Sequence, residues 1–288
     1  MERKNKLRKI STAVLLLCFT FLFSPDLNAQ DTIKEKTWEH QIKVGSGYAN
    51  HIIQDNVLSP LVYSGSTIAF WLTYEARSKN YLHLVQSYFD TPNLHSGIPQ
   101  DGSGFPHNTK NINGFLAYSL SRKVLSQNEN KLDFFIGGKL QSFGSYRKLY
   151  YLTNISGENV DFNTSLGVSL IANRFFKDSE SLVSFKLSTP IITYATSLGT
   201  FNANARDKQI TYDPDKNGVG QYFCNGDVVF INRLFELQSE LSVNKSLNNR
   251  LSLGATYFFH FYNFKVHDDL APIKYVNNQL LAELIIKL

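Results

Sequence analysis

Cysteine is nearly missing from this chain: 288 residues hold two, Cys18 and Cys224. Cys18 sits inside an N-terminal apolar run that reads as a leader, so the remainder keeps one thiol. A single thiol cannot form an intramolecular disulfide, which excludes a small disulfide-stapled scaffold. Charge is scarce too, at 18% against roughly 25% in a typical soluble domain. Beyond residue 23 no apolar run approaches the roughly 18–20 residues of a spanning helix, and mean hydropathy is −0.21. A helical membrane protein is thereby excluded. Aromatic side chains, in contrast, abound, with 22 Phe, 15 Tyr and 2 Trp. Such a chain is too apolar to stay disordered.

The first 29 residues have the layout of a secretory signal peptide. Arg3, Lys4, Lys6, Arg8 and Lys9 precede a 14-residue apolar stretch, Ile10 to Phe23. A small-residue cleavage point follows at Ala29. The stretch is too short to span a bilayer comfortably. Removing residues 1–29 takes five basic and two acidic residues from totals of 29 and 24, leaving 24 and 22. The basic character thus belongs largely to the leader, and no nucleic-acid partner is expected. Residues 30–288 are expected to form a single domain.

That domain is written in a two-residue rhythm, the period of a strand with one apolar face. Ile68, Phe70, Leu72 and Tyr74 alternate with Thr67, Thr73 and Glu75. Ile136 and Leu140 alternate with Asp133, Lys139 and Gln141; Leu253, Tyr257, Phe259 and Phe261 alternate with Ser252, Thr256 and His260. The chain ends on Leu280, Ala282, Leu284, Ile286 and Leu288 against Glu283 and Lys287. Strands of soluble proteins usually run about 5–6 residues. These runs are longer and match the roughly 9–11 residues of a tilted membrane-crossing strand. Ten strands are predicted: 38–49, 66–77, 80–91, 112–123, 131–144, 161–175, 181–194, 227–243, 250–265 and 276–288. Arg233 would break the polar–apolar parity of 227–243 unless a bulge restores it.

The predicted connections alternate short and long, which is the arrangement of outer-membrane barrels with short periplasmic turns and long external loops. Over residues 38–288 the chain resembles the outer-membrane β-barrels of Gram-negative bacteria. Its last strand, Leu280–Leu288, is similar to the C-terminal signal read by the barrel-assembly machinery in that class, although Leu288 stands where Phe or Trp is more usual. The resemblance implies an all-β fold: a transmembrane antiparallel up-and-down β-barrel of about 10 strands, with 8 or 12 as alternatives. It also implies location in the cell outer membrane, outer-membrane lipid and the assembly machinery as partners, and both termini periplasmic from the even strand count. In lipid an open sheet edge cannot satisfy its backbone, so the sheet must close.

Closure places Lys43, Glu75, Asp133, Lys139, Lys186, Glu236, Glu240, Glu283 and Lys287 inside. Four bases and five acids suggest a salt-bridged interior rather than an open one. A narrow ion pathway is the alternative.

Candidate chemistry is sparse. His51, His95, His107 and His267 fall in predicted external loops, with Asp55, Asp90, Asp101, Asp268 and Asp269 nearby, and His260 lies near the upper end of a strand. The candidates for a catalytic role are His260, His267 and Asp268. Omptin proteases resemble an Asp pair in one loop with Asp-x-His in another. Here Asp213-Pro214-Asp215 supplies an Asp-x-Asp, but no Asp-x-His occurs. Outer-membrane lipid hydrolases resemble His-x-Ser, whereas His95 and Ser96 are adjacent and in a strand would point apart. Asp213, Asp215 and Asn217, followed by Gly218, match the opening of a calcium loop, but position 12 is Cys224 rather than Glu. The same string is also ordinary turn vocabulary. The loop 54–65 is unusually apolar, as if folded back into the barrel mouth or offered to a protein partner. A structural, binding or secretion-associated role without catalysis is expected. An outer-membrane hydrolase of lipid or peptide is the alternative, and a narrow channel the next.

Overall fold

The computed structural model describes residues 38–56, 59, 61–98, 107–127, 131–150, 156–176, 180–199, 226–265 and 272–288. The leader reading of residues 1–29 lies outside them. The described residues form twelve strands: β1 (Glu39–Asp55), β2 (Val62–Arg77), β3 (Tyr81–Asp90), β4 (Asn93–His95), β5 (Asn108–Gln127), β6 (Leu132–Tyr150), β7 (Ser156–Phe176), β8 (Ser181–Gly199), β9 (Asp227–Phe230), β10 (Leu234–Ser246), β11 (Leu251–Phe264) and β12 (Ile273–Lys287). Ten of them form a ring. The order runs β1-β12-β11-β10-β8-β7-β6-β5-β3-β2, and β2 pairs with β1 to close it. All pairings are antiparallel, and β4 and β9 are short additions at the long-loop end. The fold is thus a closed ten-strand antiparallel barrel, as the two-residue rhythm required.

The outer wall is apolar because register aligns the apolar parity of neighbouring strands. Leu253, Leu284, Val44 and Leu72 are directly paired across β11, β12, β1 and β2. Their exposures are 50%, 43%, 51% and 52%. A contiguous apolar surface of this extent suits hydrocarbon, not water. On β5 the band runs from Ile112 to Leu120, bounded outside by Lys110 and Arg122. Those nine residues run roughly 27 Å along the strand, about 20 Å along the axis at the tilt of such barrels, of the order of their ~25 Å apolar belt. Near the short-turn end the outer wall carries aromatic and imidazole side chains. His40 contacts the Tyr74 hydroxyl at 2.7 Å, and His83 contacts that of Tyr118 at 2.9 Å.

The strands outrun the band. β5, β6, β7 and β8 have 20, 19, 21 and 19 residues, and the surplus projects at the long-loop end. Segments 145–150 and 156–160, read from sequence as loop, are therefore strand. Both barrel termini lie at the short-turn end, where Leu288 N donates to His40 O at 2.9 Å.

Parity is corrected where expected. Val229 and Leu234 both face inward, and a turn at 231–233 absorbs the odd residue, with Arg233 N donating to Phe230 O at 2.9 Å. The neighbouring strand makes the same correction: the β7–β8 register slips between Leu166 and Gly167, leaving Ile191 as the extra residue. Pro190, beside it, has no N–H to give the ladder. Thr189 Oγ1 donates to Glu236 O at 2.8 Å and bridges the seam. Gly167 is required at this slip, because a Cβ there would lie 2.3 Å from Thr189 O.

The lumen is filled in layers. Nearest the short turns, Lys43 Nζ lies 3.1 Å from Glu75 Oε2, and Arg77 Nη2 lies 3.1 Å from Glu75 Oε1. Thr256 donates to Glu283 at 2.7 Å, Lys186 to Glu240 at 2.7 Å, and Gln86 to Glu240 at 2.8 Å. Above these sits an aromatic plate. Trp71 stacks on Tyr88 at 5.0 Å and meets Phe258 edge-on at 4.9 Å, and Tyr88 stacks on Phe115 at 5.2 Å. Trp71 Nε1 donates to Gln279 Oε1. At the mouth, Ile53, Tyr63, Leu94, Leu234, Phe264 and Ile273 are buried, with Leu61 packed against them.

Seven of the nine charges expected inside are buried there. Asp133 lies near the rim, 2.8 Å from Lys123, and Lys287 emerges exposed at the short-turn edge, bound to Ser246 at 2.9 Å. Both keep the inward parity, but Lys287 is the last residue of β12, where the lumen opens at the short-turn rim.

Candidate functional site

The polar residues between aromatic plate and mouth form the richest chemical cluster of the described structure. They come from strand segments that sequence reading placed partly in loops. Gln238, His260, Asn277 and His51 are directly paired across β10, β11, β12 and β1, all on the inner face. One step toward the mouth, Glu236, Tyr262, Tyr275 and Ile53 form the next row on the same face.

Two imidazole–carboxylate pairs result. His260 Nε2 lies 2.9 Å from Glu236 Oε1, and the same carboxylate accepts from Gln141 at 2.7 Å and Gln238 at 2.6 Å. Lys139 Nζ donates to Gln238 Oε1 at 2.5 Å and to Ser188 Oγ at 3.0 Å. His51 Nδ1 lies 2.9 Å from the Tyr275 hydroxyl, and its Nε2 lies 3.3 Å from Asp90 Oδ2. Asp90 is held by Asn113 at 2.7 Å, and Asn113 in turn by Ser145 at 2.9 Å. His51, His260 and Asn277 are wholly buried.

Nearer the mouth Arg147 spans two acids, with Nη2 2.8 Å from Asp55 Oδ2 and Nη1 2.5 Å from Asp161 Oδ2. All three side chains are buried, so the charges are compensated chiefly by one another. Loop residue Ser59 is buried beside them. Its amide donates to Asp55 O at 2.8 Å, and its hydroxyl accepts from Tyr63 at 2.9 Å. The described residues of the apolar first loop, Ser59 and Leu61, are thus packed onto the barrel mouth, one of the two arrangements its composition suggested.

The sequence-derived candidates are dispersed by this geometry. His260 is inside the barrel, walled from solvent. His51 and Asp55, expected in an external loop, belong to β1 and face the lumen, and Asp90 closes β3 on the same side. His95 is exposed on β4, with Nδ1 2.6 Å from Asn108 Oδ1. Ser96 pairs not with His95 but with His107, Oγ to Nδ1 at 3.2 Å, in the stem of the 91–107 loop. His267, Asp268 and the calcium candidates Asp213, Asp215 and Asn217 lie outside the described residues. Among the described residues no three His, Cys, Asp or Glu side chains gather as a metal site.

Arg77, Arg147, Asp55, Asp90 and Asp161 are interior charges that sequence reading missed. Parity could have found Arg147 and Asp161, which continue the inward series of Lys139–Gln141 and Asn163–Ser165. For Arg147 that meant extending the parity of 131–144 into a strand longer than a bilayer crossing, whereas Asp161 already stood at the first position of the predicted strand 161–175.

No protein-family model matches the chain, and no curated protein does. Solved structures do. The outer-membrane protease OmpT from Escherichia coli is similar at a TM-score of 0.51 and 7% identity, over 90% of this chain and 99% of that one. Neisserial surface protein A matches at 0.30 and 10% identity, over 86% and 97%. The attachment invasion locus protein Ail of Yersinia pestis matches at 0.31 and 9% identity, over 86% and 99%. The likeness is one of fold: the chain has the architecture of a bacterial outer-membrane β-barrel.

Proposed function

We propose that this protein is a non-catalytic barrel of the outer membrane, with a structural, binding or secretion-associated role exercised through its long loops. The observation that carries the reading is the filled lumen. Ion pairs, an aromatic plate, a polar layer and an apolar mouth follow one another along the axis. A conduit needs a continuous wet path, and an outward-acting catalyst needs its base to meet substrate. The buried imidazoles of His51 and His260 favour neither. In this reading both termini and the short turns are periplasmic, outer-membrane lipid surrounds the apolar band, and the assembly machinery reads the last strand. Protein partners meet the outer loops.

The test is a refolded barrel, verified by a heat-modifiable gel shift. Silence in planar bilayers and inertness toward lipid and peptide substrates is the expected result. Unitary conductance steps would replace the reading with a channel.

The hydrolase reading has one observation in its favour, the two imidazole–carboxylate pairs, which would have to open to solvent before a substrate could reach them. Hydrolysis that vanishes in His260→Ala, with the gel shift intact, would establish it instead.

A further inference from the structure

Between the aromatic plate and the apolar mouth, several buried polar atoms of one small region lack a protein partner. The amide of Asn277 has no well-aligned protein partner at either its oxygen or its nitrogen; its neighbour is the Tyr88 hydroxyl. On the paired strands beside it, His260 Nδ1 has no partner, and His51 Nε2 and Asp90 Oδ2 approach to 3.3 Å without hydrogen-bond alignment. The Tyr88 hydroxyl approaches Asn277 and Tyr275 within interaction distance, but out of hydrogen-bond alignment. The Tyr262 hydroxyl is likewise unmatched, its ring stacked on Tyr275 at 5.0 Å. Asn277 is 0% exposed, as are both imidazoles. An unsatisfied buried polar group carries its full desolvation cost, so several together demand a partner from outside the chain.

We infer that this region is a binding site for a small cluster of trapped water molecules. The chemistry selects water over other occupants. The free atoms include both donors and acceptors, and the tyrosine hydroxyls serve as either. A cation would find one carboxylate oxygen, Asp90 Oδ2, that already faces the His51 imidazole at 3.3 Å, while the other free atoms are an amide, an imidazole and phenol hydroxyls, a mixed set that suits water better. Among the described residues, ion pairs lie below the site and the packed mouth above it, which leaves no route for a larger polar solute. Water that bridges two to four polar groups is the normal filling of such places. The cluster links His51–Asp90 to His260–Glu236 through Asn277, joining two pairs that otherwise have no direct contact.

A crystal structure at a resolution that shows ordered water tests this directly. Discrete density maxima within hydrogen-bond distance of the Asn277 amide and His260 Nδ1 are expected. In Asn277→Leu those maxima should vanish while the barrel is unchanged. Should that variant fail to assemble, Tyr262→Phe keeps the ring and should remove the maximum at its hydroxyl. Oxygen-17 relaxation dispersion of the refolded wild type should show slowly exchanging water, reduced in either variant. An anomalous peak from crystals grown in rubidium, density for an organic molecule, or direct side-chain pairing that leaves no maxima would overturn the inference.

Discussion

Arg147 on β6 reaches Asp55 at the end of β1, four strands away around the ring, with Nη2 and Nε at 2.8 and 3.1 Å from one carboxylate oxygen. The contact crosses the lumen, and Asp161 holds the other side of the guanidinium. Removing the cation leaves two buried carboxylates facing each other. Arg147→Met is expected to cost about 3–5 kcal/mol, the range for breaking a buried pair from one side. Arg147→Lys keeps the charge but loses the planar fork, and should fall between. The midpoint of the heat-modifiable gel shift, measured against urea or temperature, checks the order.

The Lys186–Glu240 pair nearer the short turns offers a different outcome. Lys186→Met alone leaves Glu240 with Gln86 as its remaining direct hydrogen-bond donor, and Glu240→Met alone leaves a buried ammonium. Each single change should destabilise strongly. The double change to Met at both positions should recover much of the loss, because two apolar side chains of similar length replace two desolvated charges. A coupling energy of about 0.5–3 kcal/mol in the double-mutant cycle is expected. Strictly additive losses would mean that the charges are not energetically paired.

The legibility of this fold stops where the bilayer stops. Within the band, lipid and lumen impose opposite chemistry on alternate residues, so Phe70, Leu72 and Tyr74 against Thr73 and Glu75 announce a strand. Above it, Ser64 and Ser66 face outward on β2 where water replaces lipid, and the contrast between faces fades. The inward residues His51, Asp55 and Arg147 therefore looked like loop. The interior site was legible only in part for a second reason. Lumen pairs such as Arg147–Asp55 join strands far apart in sequence, and nothing local encodes which charge meets which. The parity break near Arg233 was legible, because a guanidinium facing hydrocarbon is too costly to leave uncorrected. Its matching slip at Ile191 was not, since Pro190-Ile191-Ile192 is apolar in either register.

That slip provides a test of register. Ile191 has no partner on β7, so deleting it leaves Gly167 opposite Pro190 and Leu166 opposite Ile192 in unbroken alternation, with Thr193 and Ala195 still facing the lumen. Deleting Ile191 and Ile192 together removes one residue too many: Thr193 and Ala195 would turn from lumen to lipid and Tyr194 would turn inward. The β9 pairing, in which Val229 faces Thr193, would be lost with them. The single deletion should keep the folded, fast-migrating gel form, and the double deletion should lose it. If the double deletion assembled normally, alternation would not be setting the upper wall.

The position of the bilayer along the barrel can be read by charge scanning on the outer face of β2 and β12. Phe70 and Leu280 are 60% and 62% exposed and flanked by apolar neighbours in the outer wall. Ser66 and Lys274 face outward closer to the long loops. Phe70→Arg and Leu280→Arg should each cost about 2–4 kcal/mol if they lie near the midplane, falling to ~0–1 for Ser66→Arg near the interface. Stability of the folded barrel in phospholipid vesicles, measured by reversible chemical denaturation, gives these values. The gradient matters more than any single figure. A barrel indifferent to arginine at 70 and 280 would not have its apolar belt in lipid, and the strands would need another reason for their outward Leu, Ile, Val and Phe.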